Sequence, residues 1–236
     1  MSDYRLAFPA CVIAGKNRLE AEDVTLLRSS TFPAGIRSAE DVIVLLTLQN
    51  CCPEKSPEWD SFFIEALTAF IVNHSYPQGT LDEINVAWLR RIFAAEGVVQ
   101  STVELELLLH VVEVSAHVPD TLTSLLLDQL RLAITDEIGA YHLSRMHARK
   151  GVTRQDTEFV HRVLRRKLEK GRFLLSAAEI AVLRRVDGGI DPLFNHPRWS
   201  ELMNAVDMRE DEDRPPRQSR WLRVSDDMLA SDTSAA

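Results

Sequence analysis

Apolar residues recur along the chain at spacings of three and four residues, the period that places side chains on one face of an α-helix. The same spacing returns after three serines, Ser38, Ser101 and Ser176. No run of alternating apolar and polar residues lies between hairpin turn signals, so strands are not indicated. The pattern therefore predicts an all-α fold. The matching apolar pairs are Val42 and Leu45, Leu105 and Leu108, and Ile180 and Leu183.

Helix-start signals occur three times in the same order. Each occurrence contains a Leu-Arg pair, a Ser followed three residues later by an acid, and a Pro that opens another apolar segment. In such a capping box the Ser hydroxyl accepts a hydrogen bond from a free backbone N–H, and the acid accepts one from the Ser N–H. Pro is favoured in the first helical turn because its missing N–H would have no partner there. The pairs are Leu27-Arg28, Leu89-Arg90 and Leu164-Arg165, the boxes are Ser38 to Asp41, Ser101 to Glu104 and Ser176 to Glu179, and the prolines are Pro57, Pro119 and Pro197.

This regularity predicts three related units, each with a helix, a loop, a second helix and a third helix, packed as a helical repeat or bundle. The prediction divides the chain into four parts. These are an N-terminal segment at residues 1–18, units one and two at residues 19–136, a connecting helix with unit three at residues 137–206, and a tail at residues 207–236.

The tail has low hydrophobicity, dense mixed charge and the pair Pro215-Pro216. Such a composition cannot offset the entropy cost of ordering, so we predict that residues 207–236 are disordered. Trp221 and Leu222 interrupt the polar run. They predict a docking motif, for a partner or for the protein's own core, and the alternative is an inert tail with incidental apolar residues.

The turn between the first two helices of unit two reads Glu-Gly-Val-Val at residues 96–99 and is followed by Ser101 and Glu104. This turn resembles the acid-Gly-x-x-x-acid turn of tellurite-resistance B-like proteins, bacterial helical repeat proteins with degenerate EF-hand-like units. The resemblance implies an all-α fold with acidic residues that are suspected of binding metal. In unit one, Ala34 stands where the family has an acid. The loops lack the alternating oxygen ligands that Ca²⁺ requires, so we do not expect calcium in them.

The second helix of unit two carries a stripe of four polar residues, Glu106, His110, Glu113 and His117. Their positions i, i+4, i+7 and i+11 fall on one helix face. Two imidazoles and two carboxylates could bind Zn²⁺ or a related ion, so these four are the candidate metal ligands. The alternative is that the stripe is the solvated face of a helix that is otherwise apolar.

The composition is that of an ordinary packed protein with an acidic excess. The chain has 236 residues, with 35 Asp and Glu against 27 Lys and Arg, and a net charge of −8. This charge opposes unspecific binding to nucleic acid. No apolar stretch approaches the roughly 20 residues that span a bilayer, and the first residues are too broken for a secretory signal. We therefore predict a cytoplasmic protein without a transmembrane segment.

Positive charge is concentrated in residues 143–172, where ten Lys or Arg accompany three acids. An anionic partner could bind this basic segment, and the alternative is a solvated face paired with the acidic parts of the molecule. Few aromatic residues accompany the basic ones, which disfavours recognition of single-stranded nucleic acid. The candidate binding residues are Arg162, Arg165, Arg166 and Lys170.

The sequence contains no nucleophile elbow, phosphate-binding loop, HExxH motif or nucleotide-binding glycine pattern. We therefore predict a non-enzymatic protein without a cofactor, a cytoplasmic helical interaction or scaffold protein that binds a protein partner. One alternative is a metal-responsive or stress-related protein of the tellurite-resistance B-like type. A second alternative is binding of nucleic acid or another anionic partner through the basic segment.

Overall fold

The computed structural model describes residues 12–74, 77–145, 151–169 and 172–213, with residue 172 and residues 208–213 described by their backbone alone. The described chain is helical, and the predicted all-α class is confirmed. The helices are α1 (Ala21–Leu26), α2 (Ala39–Cys51), α3 (Pro57–His74), α4 (Glu83–Phe93), α5 (Thr102–Val114), α6 (Asp120–Arg131), α7 (Gly139–Ser144), α8 (Arg154–Leu164), α9 (Ala177–Gly188) and α10 (Pro197–Asp213).

Short non-α segments complete the fold. Strand β1 (Arg18–Leu19) pairs in parallel with β2 (Glu54–Lys55), and β3 (Leu168–Glu169) pairs antiparallel with β4 (Arg172–Phe173). A π-helical turn extends α1 over Leu27–Thr31 and another extends α6 over Leu132–Asp136, while 3₁₀ turns cover Arg165–Lys167 and Pro192–Phe194.

Two of the three predicted capping boxes form completely. The Ser38 hydroxyl accepts from the Asp41 N–H at 3.2 Å, and the Asp41 carboxylate accepts from the Ser38 N–H at 3.1 Å. Ser176 and Glu179 make the same two bonds at the start of α9. The box at Ser101 is half formed, because Glu104 accepts from the Ser101 N–H but the Ser101 side chain caps no backbone N–H of the described helix.

The first helix of each predicted unit also begins with a box that the sequence pattern did not single out. In each box, the side chain of the third helical residue accepts a hydrogen bond from the backbone N–H of the capping residue. The pairs are Glu20 with Asp23, Asp82 with Asn85, and Thr153 with Asp156.

Helix packing joins the predicted units in one consistent way. The two most extensive helix contacts are those of α3 with α5 and of α6 with α9. Each of these contacts places the third helix of one unit against the second helix of the next. The apolar faces that the sequence assigned to these helices are buried, and they include Leu105, Leu108, Leu122, Leu126 and Leu183.

Two tryptophans anchor the third helices of units one and three. Trp59 and Trp199, each two residues after its helix-starting Pro, are almost completely buried. The indole N–H of Trp59 donates to Gln49 Oε1 at 2.8 Å, and that of Trp199 donates to Asp187 Oδ1 at 2.8 Å. A buried indole N–H needs such a partner. Both partners lie on the second helix of the same unit, so each bond locks the second and third helices together.

The boundaries of the connecting helix and of the tail differ from their predicted positions. Helix α7 covers only part of the predicted connecting helix, and the left-handed backbone of Glu137 (φ 58°) ends the extension of α6 before it. Helix α10 continues to Asp213, past the predicted start of the tail at Asp207. The rest of the tail, residues 214–236, lies outside the described residues, together with its predicted docking motif Trp221 and Leu222.

Asp60 on α3 carries a half-buried carboxyl group. Burial raises the pKa of this group, and the positive charge of the nearby Lys55 offsets only part of that rise. Its Oδ1 is buried without a hydrogen-bond partner in the described chain. A carboxyl with a raised folded-state pKa stabilises the fold fully below its unfolded pKa of about 3.9, and this contribution is lost as the pH rises through the folded pKa. We therefore expect Asp60→Asn to be more stable than the wild type at pH 7 by about 1 kcal/mol.

Urea unfolding of both proteins at pH 4 and pH 7, followed by circular dichroism, measures this difference. The advantage of the variant should be larger at pH 7. Glu58→Gln, a change of an exposed acid on the same helix, is the matched control. An Asp60→Asn variant that is less stable than the wild type at pH 7 would contradict the prediction.

Candidate functional site

Arg162 on α8 lies between two carboxylates of α5. Its guanidinium donates to Glu106 Oε1 and Oε2 at 2.5 and 2.8 Å, and to Glu113 Oε1 and Oε2 at 2.5 and 3.1 Å. Such paired, charge-assisted bonds suit the planar fork of arginine. The contact joins the polar stripe of unit two to the basic helix of unit three, two features that the sequence presented as separate candidate sites.

The ion pair favours the charged forms of Glu113 and Arg162. Hydrogen bonds from Arg162, reinforced by His110, lower the pKa of Glu113 despite its partial burial. The hydrogen bonds to Glu106 and Glu113 in turn raise the pKa of the Arg162 guanidinium. The two carboxylates therefore already have a cationic partner at neutral pH.

The two histidines of the stripe occupy different surroundings. His110 Nδ1 lies 3.5 Å from Glu113 Oε2. His117 lies beyond the end of α5 at Val114, and its backbone carbonyl accepts from the Leu81 N–H at 3.0 Å. Among the described residues, no group of three or more His, Cys, Asp or Glu side chains is placed to hold a metal ion. The structure does not bring the four predicted ligands, Glu106, His110, Glu113 and His117, together as a metal site.

Several residues of the basic segment form hydrogen bonds or ion pairs with other residues of the protein. Arg166 donates from Nη2 to the backbone carbonyl of Glu113 at 2.6 Å. Lys167 forms ion pairs with Asp120 and with the buried Glu179. Of the four predicted binding residues, Arg162 and Arg166 are thus held by α5, Arg165 is exposed, and Lys170 lies outside the described residues.

A groove with a cavity of about 490 Å³ opens beside the Arg162 ion pair. We call it the α8–α10 groove, because it lies between α8 and α10 with β4 at its side. Arg162 and Glu113 form part of its lining, beside the apolar Val160. Its lining also includes His161, Arg165, Phe173, Arg198 and Leu202.

Apolar and cationic groups meet in the α8–α10 groove. The rings of His161 and Phe173 meet edge to face, with 6.1 Å between their centroids, and Leu202 lines the same cavity. Arg165 and Arg198 are exposed, and neither forms an ion pair with another residue in the described ranges. The groove therefore offers two available guanidinium groups beside an apolar surface. That combination suits an anionic group attached to an apolar one.

Three residues that line this groove were not foreseen as neighbours of the basic helix. Arg198 and Leu202 lie outside the basic segment, and only their place on the helix that begins at Pro197 could be predicted. Phe173 follows the basic helix but belongs to the short β3–β4 hairpin, whose strands of two residues each are too short for an alternating pattern to indicate. No local pattern indicates that α10 passes beside α8.

Comparisons with known proteins found no relative of this chain. No family model, no curated protein and no solved structure matches it. Within the described part of the chain, no helix combines the length and the apolar composition needed to cross a bilayer.

Proposed function

We propose that this chain is a non-enzymatic helical interaction module that binds a protein partner through the α8–α10 groove. The observation that carries the proposal is the pair Arg165 and Arg198, which have no ion-pair partner among the described residues and lie beside Phe173 and Leu202. Arg165 lies on the same helix as Arg162, whose ion pair fixes α8 against α5, so this side of the surface is preorganised. The partner would present a carboxylate next to an apolar side chain.

The dimensions and chemistry of the groove support a protein segment as the ligand. A cavity of about 490 Å³ is large enough for a few side chains. A carboxylate can accept two parallel hydrogen bonds from an arginine, which contributes direction as well as affinity. An apolar side chain against Phe173 and Leu202 would add the burial that anchors most protein interfaces.

Nucleic acid fits this surface less well. Binding to a phosphate backbone needs several available cations, because affinity grows with the number of phosphates neutralised. Arg162, Arg166 and Lys167 are already engaged by carboxylates or a carbonyl of the protein.

Charge reversal in the groove tests the proposal. We expect Arg165→Glu combined with Arg198→Glu to weaken partner binding by about 30-fold or more, because two charge-assisted hydrogen bonds are lost and replaced by repulsion. The measurement is cross-linking and affinity purification of the tagged full chain from its native cells. Binding of each identified partner is then titrated with purified proteins.

The matched control is Arg90→Glu combined with Arg91→Glu on α4. These two arginines are also exposed and form no ion pair with another described residue, so the change in net charge is the same. A partner that is lost with the groove variant and retained with the control supports the proposal. Equal recovery of partners by both variants, or recovery that nuclease treatment abolishes, would contradict it.

A further inference from the structure

We propose that the chain's own C-terminal segment, residues 219–232, docks in the α8–α10 groove. In this arrangement Trp221 and Leu222 cover the apolar wall, and the acidic residues that follow approach Arg165 and Arg198. The inference rests on the groove that the proposed function assigns as a docking surface, but it requires no second protein.

The length of the chain beyond α10 matches the distance to the groove. Arg198 lies near the start of α10, and a helix rises ~1.5 Å per residue, so the end of α10 at Asp213 lies about 22 Å away along the axis. The stretch from Arg214 to Trp221 contains Pro215-Pro216 and spans about 25 Å at the ~3.1 Å per residue of an extended proline-containing chain. Trp221 is therefore the first large apolar residue that can return to the level of Arg198.

The C-terminal segment contains apolar and acidic groups that can complement the lining of the groove. Trp221 and Leu222 supply apolar surface for Phe173 and Leu202. Arg220 and Arg223 flank this apolar pair, and from residue 224 to the end the chain contains three Asp and no Lys or Arg. The nearest of these acids, Asp226 and Asp227, follow Leu222 by four and five residues, a reach of up to about 13–18 Å for an extended chain. Residues 219–232 thus combine an apolar pair and three acids with two arginines.

Covalent attachment favours this occupant over a free peptide of equal intrinsic affinity. A short flexible linker holds its ligand at an effective concentration on the order of millimolar. A segment that binds weakly as a separate peptide would therefore still occupy the groove of its own chain. A protein partner with the same acidic and apolar chemistry would then have to compete with it.

Photo-cross-linking within the full chain tests the inference. Trp221 is replaced by the photoreactive residue p-benzoylphenylalanine, and the protein is irradiated at about 1 µM, far below the effective concentration of the linked segment. Mass spectrometry of the monomer then locates the cross-link. We expect it on the peptides that contain Phe173 or Leu202.

Charge-reversal variants test whether the arginines of the groove hold Trp221 in place. Arg165→Glu combined with Arg198→Glu should reduce the yield by at least about fivefold, because attraction to Asp226 and Asp227 becomes repulsion. Adding Asp226→Lys and Asp227→Lys to that variant should restore the yield, which also demonstrates that the variant is folded. Arg90→Glu with Arg91→Glu should leave the yield unchanged.

Three results would overturn the inference. The first is a cross-link to another surface of the chain. The second is product found only as dimers, which would make a second copy the occupant. The third is a yield that neither charge reversal nor its compensation changes. None of these results depends on a protein partner, so each can be told apart from a failure of the proposed function.

Discussion

Arg145→Met should destabilise the protein by about 3–5 kcal/mol, the cost of leaving a buried charge without its partner. Asp156 is completely buried, and the Arg145 side chain is only 4% exposed. The guanidinium donates to both Asp156 oxygens, at 3.0 Å from Nε and 2.9 Å from Nη2. Tyr141 and Thr153 also donate to this carboxylate, so Asp156 ties α7 to the start of α8.

The measurement is the free energy of unfolding in urea, followed by circular dichroism. Arg154→Met is the matched control, because Arg154 forms an ion pair with Glu158 that is largely exposed on both sides. An exposed pair contributes at most about 1 kcal/mol, so this control should change stability little. Equal effects of the two substitutions would show that burial of the Asp156 network does not determine its contribution.

Gln129→Met should cost about 2–3 kcal/mol, because it removes a buried amide that satisfies a neighbouring backbone. Gln129 Oε1 accepts from the Val99 N–H at 2.9 Å, and Nε2 donates to the Gly97 carbonyl at 2.8 Å. These bonds hold the turn between α4 and α5 against α6. Methionine keeps the approximate volume of the side chain but accepts only weakly, so the buried Val99 N–H loses its partner.

Hydrogen exchange distinguishes this mechanism from general destabilisation. In Gln129→Met the Val99 amide should exchange faster by a larger factor than amides in the centre of α5. Gln155→Met, at an exposed position on α8, is the control for the substitution itself. A uniform increase in exchange across the fold would argue that Gln129 acts only through global stability.

Local signals predicted much of the fold. The caps at Ser38 and Ser176 and the helix starts at Pro57 and Pro197 depend on residues within four positions, so the sequence displays them directly. The half-formed box at Ser101 shows the limit of such a signal. The pattern identified the start of α5 correctly, but it could not predict which side-chain bonds the packed helix makes.

The candidate site depended on distant residues, and there the sequence was less informative. Periodicity correctly placed Glu106, His110 and Glu113 on one helix and Arg162 on another, but Arg162 lies 49 residues from Glu113 in the chain. Both helices expose a polar face, and no local sequence pattern indicates that the two faces are in contact. The interpretation of the stripe as a metal site depended on the assumption that its carboxylates had no other partner.

The contacts between successive units determine how the chain can fold. Because α3 packs on α5 and α6 packs on α9, each predicted unit completes its apolar core with a helix from its neighbour. A fragment cut at residue 81 or 137 would keep its own helix caps but expose a long apolar surface. Folding and unfolding should therefore be cooperative along the length of the packed helices.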